Sequence, residues 1–200
     1  MPHPLRCACG ALQGVVEPTA RANHAVCYCR DCQAFAHALS RPAAVLDAQG
    51  GTQIVQIAPA AVTLTRGAEN LACLRLTPGG LLRWYARCCD TPIGNTLATP
   101  ALSFVGLIHT GLEGPGPTID ETFGPVRCRV NTHGARGLPR PRQSGVPRAI
   151  LWFLSTLIRA RLTGDHRRTP FFDPAGAPVA APRILTPDER LALARAVEAP

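Results

Sequence analysis

Three cysteines within six residues, Cys27-Tyr-Cys29-Arg-Asp-Cys32, are the strongest chemical signal in the sequence. Spacings of two and three residues let all three sulfur atoms point inward from one loop, where they could bind a zinc ion as thiolates. Three protein ligands leave the fourth position of zinc open, which is typical of catalytic zinc sites. Arg30 lies between the ligands and would help to lower the thiol pKa values. The alternative is a closed site whose fourth ligand is His24, His37 or Cys73.

Four further cysteines form two pairs, Cys7-Ala-Cys9 and Cys88-Cys89. Two thiolates one residue apart can bind one zinc ion, and Gly10 permits the tight turn that the backbone must make around it. Adjacent cysteines on an extended chain point in different directions, so one or both of Cys88 and Cys89 would complete this site. The residues therefore predict a closed structural site and a separate open site, with one or two Zn²⁺ ions bound per chain.

These motifs resemble those of the glutathione-dependent formaldehyde-activating enzyme and centromere protein V family. The resemblance covers residues 5–110 and rests on Cys7-x-Cys9-Gly10, on Cys27-x-Cys29-x-x-Cys32 and on a late cysteine element before Thr91-Pro92. It implies a β-tent fold with a structural zinc site, shared by the first C-x-C and the late element, and a second zinc site on the middle three cysteines. It also implies that glutathione, or a similar small thiol, meets formaldehyde or a similar aldehyde at this second site. Arg30 is the nearest basic residue that could attract the carboxylates of glutathione.

The late element departs from the family pattern, which reads aromatic-C-x-x-C-G-T. Residues 85–91 read Tyr-Ala-Arg-Cys-Cys-Asp-Thr, so Cys89 matches the second cysteine, while Ala86 replaces the first and Asp90 replaces the glycine. We expect Cys88 to take over as the fourth ligand through a rearranged turn; the alternative is an incomplete structural site. Tyr28 stands where the family often has a histidine, which leaves the choice of substrate open.

Short segments with β character lie between the cysteines and are separated by glycine, proline and asparagine. This rhythm predicts a mainly β fold, a zinc-binding domain of small antiparallel sheets with the cysteines in its turns. One short helix is expected over Gln33–Leu39. The expected strands are Leu12–Val16, Thr52–Ile57, Val62–Thr65, Cys73–Leu76, Leu81–Tyr85 and Ala101–Ile108, with a shorter one at Val126–Val130.

Residues 111–200 differ in character and are predicted to be an extension of the zinc-binding domain, which we place at residues 1–110. Glycine, proline and arginine dominate residues 134–147, a predicted loop. A helix is predicted near 147–162, with Pro147 in its first turn and Gly164 after its end, and a short helix near 187–197 follows the capping box Thr186-Pro-Asp-Glu189. The first helix is apolar over more than half of its surface, so we expect it to pack on the first domain or to form a homodimer interface.

The net charge of +8 comes from arginine alone, because the sequence contains no lysine. Residues 125–168 hold ten arginines against one acid, Asp165. An arginine-only composition indicates compositional drift more than selection for a basic surface, and aromatic residues are not interleaved here, so nucleic-acid binding is a weak expectation. No apolar export signal and no run of 18 apolar residues are visible, so we expect a reduced, cytoplasmic protein without a membrane partner.

Two functions of different classes fit these residues. The first is a zinc protein that resembles carbon–sulfur lyases, in which the middle site activates a small thiol for addition to an aldehyde, or for the reverse cleavage. The second is a non-enzymatic, zinc-stabilised binding module with a basic C-terminal surface. A third hypothesis makes the middle thiols a redox sensor that loses zinc on oxidation.

Overall fold

The protein is mainly β, as the sequence predicts. The computed structural model describes residues 1–18 and 22–198, and within them the chain forms two β-sheets and five α-helices. The strands are β1 (His3–Arg6), β2 (Gln13–Val16), β3 (Asn23–Cys27), β4 (Thr52–Ile57), β5 (Val62–Arg66), β6 (Leu71–Arg75), β7 (Leu82–Ala86), β8 (Thr91–Thr96), β9 (Val105–Ile108), β10 (Cys128–Val130) and β11 (Arg183–Ile184). The helices are α1 (Arg30–Ala38), α2 (Pro42–Val45), α3 (Ile119–Phe123), α4 (Val146–Thr163) and α5 (Pro187–Glu198).

The smaller sheet contains three antiparallel strands in the order β1-β2-β5. Strands β1 and β2 alternate in burial, so that Leu5 of β1 and Val16 of β2 enter the core while their neighbours stay partly exposed. Gly14 is required in β2 because a Cβ atom there would collide with the backbone carbonyl of Thr63 on β5. This alternating burial corresponds to a sheet with one buried face.

The larger sheet contains eight strands in the order β10-β3-β4-β9-β8-β7-β6-β11. Its six inner strands pair antiparallel, whereas β10 pairs parallel with β3 and β11 pairs parallel with β6. The sequence predicts small antiparallel sheets, and the larger, mixed sheet differs from that expectation. The difference arises because two edge strands come from residues after 110, and parallel partners need a long crossover connection. The proposed boundary at residue 110 stays a prediction.

The main core lies where the two sheets face each other. Leu5 and Leu12 from the smaller sheet region share a buried cluster with Trp84 of β7. The Trp84 ring also contacts Phe171 and Phe172, with ring centroids 5.2 and 6.3 Å apart. Residues beyond 110 thus fill the core that the first half of the chain builds.

Helix boundaries follow capping residues. Cys29 is the N-cap of α1, so this helix begins three residues earlier than the sequence predicts. Thr186 and Glu189 form the predicted capping box of α5, in which each side chain accepts a backbone N–H from the other residue. Gly164, with φ of 78°, ends α4 in the left-handed conformation.

Of the predicted strand 101–108, only β9 forms. Within the described ranges, no helix is long and apolar enough to cross a bilayer.

Candidate metal centres

The turns after β1 and β7 bring four cysteines together, and we call Cys7, Cys9, Cys88 and Cys89 the four-cysteine cluster. The Cys7 turn is closed by two backbone hydrogen bonds, from Gly10 to the Cys7 carbonyl at 2.9 Å and from Cys7 to the Leu12 carbonyl at 3.0 Å. Gly10 has φ of 75°, a conformation that glycine adopts without strain. The hairpin of the smaller sheet therefore presents two sulfur atoms to the β7–β8 turn of the larger one.

The sulfur separations in the four-cysteine cluster match a tetrahedral zinc site. The Sγ atoms of Cys7 and Cys9 are 3.5 Å apart, and the Sγ atom of Cys88 lies 3.7 and 3.4 Å from them. The Sγ atom of Cys89 is 3.9 Å from that of Cys88. Zinc–sulfur bonds of about 2.3 Å place neighbouring sulfurs about 3.8 Å apart in a tetrahedron. The cluster is thus compatible with binding one metal ion through four thiolates.

The unusual Cys88-Cys89-Asp90 sequence is accommodated by a left-handed turn. Asp90 has φ of 52°, a left-handed conformation that aspartate tolerates better than most side chains. Desolvation opposes ionisation of Cys89, but hydrogen bonds from Thr91 and Cys9 outweigh it and lower the pKa of Cys89 to about 6. Both Cys88 and Cys89 lie in the cluster; which of them bind metal stays a prediction.

A second group, the three-cysteine cluster, consists of Cys27, Cys29 and Cys32. Cys27 ends β3, Cys29 caps α1, and Cys32 lies in its first turn. The backbone N–H of Cys32 donates to the Cys29 sulfur at 3.4 Å, as an N-cap interaction requires. The positive end of the helix dipole faces these sulfurs and contributes a field that favours one thiolate in the cluster.

Hydrogen bonds among the three thiols shift their pKa values in opposite directions. Hydrogen bonds from Cys29 and Cys32 hold the pKa of Cys27 well below its ordinary value. The same bond to Cys27 raises the pKa of Cys29 to about 11, and bonds to both neighbours, together with burial, raise the pKa of Cys32. A metal ion that binds all three sulfurs must therefore displace protons from Cys29 and Cys32.

Asn131 is a neighbour of this cluster whose role the sequence does not reveal. Its side-chain amide donates to the Cys27 sulfur at 3.4 Å, although the residues are 104 positions apart. The contact exists because β10 pairs with β3 and its last residue, Val130, accepts the Tyr28 backbone N–H at 3.1 Å. A parallel edge strand leaves no sequence pattern that would have placed it here.

The alternative fourth ligands do not join the three-cysteine cluster in the described part of the chain. His24 is buried, with one ring nitrogen 2.7 Å from a backbone carbonyl and the other 2.7 Å from the Gln53 amide. His37 approaches Arg136, and burial together with this positive charge lowers its pKa. Cys73 packs in the main core, and burial raises its pKa to about 12. The group therefore offers three protein ligands.

Arg30, the predicted anion-binding residue, is ion-paired in the structure. Its Nη1 atom lies 3.2 Å from the Glu198 carboxylate of α5, and its side chain is 74% exposed. A cleft of about 150 Å³ lies between α1 and α5, with Arg30 and Asp31 on one side and Arg190 on the other. This cleft opens beside the first turn of α1, the turn that carries Cys32.

A buried arginine holds α1 against the larger sheet. Arg83 of β7 is 2% exposed, and its guanidinium donates to the side-chain oxygen Oδ1 of Asn95 at 3.2 Å. It also contacts Asp31 at 3.5 Å and lies 5.4 Å from the centroid of the Phe35 ring. Strands β7 and β8 thus position the helix from which two cysteines of the cluster extend.

Comparisons with known proteins indicate a family and name no activity. No curated protein matches the sequence. The chain is similar to the crystal structure of a Rhodobacter sphaeroides protein solved as a structural genomics target, with 22% identity and a TM-score of 0.41; the match covers 57% of this chain and 91% of that one. The resemblance to the glutathione-dependent formaldehyde-activating family is not confirmed by these matches and stays a prediction. Residues 2–182, which include both cysteine clusters, match a family described as "Family of unknown function (DUF6151)", and the protein belongs to that family.

Proposed function

We propose that this protein binds two zinc ions with different roles. The four-cysteine cluster would hold a structural ion, and the three-cysteine cluster would hold an ion with one position open for an exogenous ligand. The observation that carries this proposal is the difference between the groups: four mutually close sulfurs in one and three in the other. Zinc is favoured among metals because thiolate ligands in tetrahedral arrangement suit it.

We infer that the exogenous ligand is a small thiol such as glutathione, which adds to formaldehyde or a similar aldehyde. The new bond joins the thiol sulfur to the carbonyl carbon, and the thiol proton ends on the carbonyl oxygen; cleavage is the reverse. Bound zinc would stabilise the thiolate form of the substrate near neutral pH. The cleft between α1 and α5 supports a small substrate, because Arg30 and Arg190 line it and could meet carboxylates.

Zinc stoichiometry tests the proposal directly. Native mass spectrometry of the chain purified without chelator should find two zinc ions, and the Cys27→Ser/Cys29→Ser/Cys32→Ser variant should retain one. Cys73→Ala removes a thiol outside both clusters and should retain two. The triple variant should also lose the ability to accelerate the reaction of glutathione with formaldehyde. One zinc in the wild type, unchanged in the triple variant, would contradict the open site.

A second candidate function is the non-enzymatic binding module. The observation that favours it is the pairing of Arg30 with Glu198, which occupies the arginine expected to attract the substrate. Exposed arginines after residue 125, such as Arg127 and Arg129, would then contact an anionic partner. Binding to nucleic acid that weakens steeply with salt, in a protein without thiol–aldehyde activity, would favour the module over the lyase.

A further inference from the structure

The outward face of α4 carries an apolar row that we call the α4 ridge, formed by Ile150, Leu151, Leu154, Ile158 and Leu162. Leu154 and Ile158 are 49% and 61% exposed, and Leu162, one turn further on, is 83% exposed. Residues four positions apart lie on one helix face, so these three and Ile150 form one line, with Leu151 beside it. At 1.5 Å per residue the line is about 18 Å long.

The opposite face of α4 holds the helix on the rest of the protein. Thr156 and Ala160 are buried there, and the Phe153 ring packs edge-on against Phe104 with centroids 5.5 Å apart. The sequence expectation that this helix packs on the first domain therefore accounts for one face only. Against residues 1–18 and 22–198, the side chains of the ridge stay exposed, so the observed contacts of the helix do not explain their apolar character.

The charge around the α4 ridge is positive. Helix α4 contains no acidic residue, and Arg148, Arg159 and Arg161 are all exposed. Two further arginines follow the helix, and the acid Asp165 pairs with one of them, Arg168, at 3.1 Å. Residues 146–168 thus hold five arginines and one acid, a net charge of +4. An apolar face beside arginines is the pattern of a helix that lies in the plane of an anionic membrane surface.

We propose that the α4 ridge docks the protein onto an anionic lipid surface, with its apolar side chains in the headgroup boundary and the neighbouring arginines on lipid phosphates. A second copy of the chain fits this face less well, because arginines would meet arginines across the contact. Five side chains are also few beside the about 20 residues per partner of a standard interface. This proposal differs from the sequence expectation, which preferred packing on the first domain or a homodimer interface for this helix and no membrane partner; it rests on the exposure of the ridge in the structure.

Vesicle sedimentation tests the proposal with the full chain. Wild-type protein should sediment with phosphatidylcholine vesicles that contain about 30% phosphatidylglycerol, and much less with phosphatidylcholine alone. Leu154→Glu/Ile158→Glu should lower the partition coefficient at least about tenfold, because it places charge in the apolar row. Arg159→Gln/Arg161→Gln should lower it by about fivefold per arginine. The matched control is Leu191→Glu, which changes a leucine of similar exposure (53%) on α5 and should bind like the wild type.

Thermal melts and zinc content show which variants fold. If Leu154→Glu/Ile158→Glu does not fold, Leu162→Glu replaces it in the vesicle assay, because Leu162 is the most exposed residue of the ridge. Three results would overturn the proposal. One is wild-type protein that does not sediment with anionic vesicles. Another is equal loss of binding in the Leu191→Glu control. The third is a wild-type dimer that Leu154→Glu/Ile158→Glu converts to a monomer without any vesicle binding, which would make the ridge an interface between copies.

Discussion

Gly134 lies against the three-cysteine cluster at a point where no side chain would fit. A Cβ atom there would collide with the carbonyl oxygen of Tyr28 and lie 3.7 Å from the Cα atom of Cys29. The Gly134 carbonyl accepts a hydrogen bond from the Gln33 amide at 2.9 Å, and its N–H donates to the Asn131 carbonyl at 2.9 Å. This glycine therefore lets the loop after β10 approach the cysteines closely enough for Asn131 to reach Cys27.

We expect Gly134→Ala to destabilise the protein by about 1–3 kcal/mol, because the added methyl group overpacks the contact and pushes the loop away. For a chain of this size, this corresponds to a lower Tm by about 2–4 °C per kcal/mol, measured in a thermal melt. Gly79→Ala is the matched control, since a Cβ atom at Gly79 has no atom within 4 Å. Equal Tm values for the two variants would show that the close approach does not matter for stability.

Residue types predicted the candidate sites better than they predicted their surroundings. The sequence separates the cysteines into the two groups that the structure brings together, because short spacings constrain the sulfurs locally. The position of the fourth sulfur atom was harder to predict from the sequence, since it depends on the left-handed turn at Asp90. Asn131 could not be predicted, because its contact with Cys27 depends on pairing between strands about 100 residues apart.

At the scale of elements, the buried guanidinium of Arg83 joins β7, β8 and α1. A charge in the protein interior is costly unless its hydrogen bonds are made, and Asn95, itself buried, is a direct acceptor. Asn95→Leu should therefore cost about 1–3 kcal/mol of unfolding free energy, since it leaves a buried donor unpaired. Denaturant unfolding of the variant measures this loss.

The Arg83→Met/Asn95→Leu double variant is the informative control. Replacing both partners by apolar groups removes the unpaired donor, so the double variant should recover most of the stability that Asn95→Leu loses. If the double variant loses the sum of what the single variants Arg83→Met and Asn95→Leu lose in unfolding free energy, then Arg83 and Asn95 do not act as a pair. Zinc content measured in parallel shows whether α1 keeps the three-cysteine cluster intact.

The predicted strands overlap β2, β4, β5, β6, β7, β9 and β10, whereas β1, β3, β8 and β11 were not predicted, and neither was the pairing of the strands. The capping residues of α5 are a local signal, and the sequence carries it. The eight-stranded sheet depends on β10, which was predicted but without its parallel partner β3, and on β11, whose two residues are too short to show periodicity. The exposure of the α4 ridge could not be predicted from the sequence either, because an apolar helix has the same composition whether one of its faces is buried or two.

At the scale of the whole molecule, the four-cysteine cluster connects the two sheets. Cys7 and Cys9 follow the first strand of the smaller sheet, and Cys88 and Cys89 lie between two strands of the larger one. A metal ion at this cluster would close a loop of 81 residues between Cys7 and Cys88, whereas the three-cysteine cluster spans only six residues. Closing a longer loop removes more entropy from the unfolded chain. We therefore expect a metal ion at the four-cysteine cluster to stabilise the fold by about 2–3 kcal/mol more than one at the three-cysteine cluster.

We therefore expect removal of the metal ion from the four-cysteine cluster to lower stability more than removal of the ion from the three-cysteine cluster. Cys7→Ser/Cys9→Ser should lower the Tm by more than about 10 °C, and Cys27→Ser/Cys29→Ser/Cys32→Ser should lower it less. A chelator should lower the Tm of the wild type toward that of the Cys7→Ser/Cys9→Ser variant. Equal Tm losses in the two variants would contradict the assignment of the four-cysteine cluster as the structural site.

The different spans of the two clusters also set the order in which they become complete during synthesis. Translation proceeds from the N-terminus, so the chain presents Cys27, Cys29 and Cys32 long before Cys88 exists. Asn131, which contacts the Cys27 sulfur, emerges later still. On the ribosome, the ligands of the three-cysteine cluster are therefore complete before the strand that flanks them has been made, and the ligands of the ion that would bridge the two sheets become complete later.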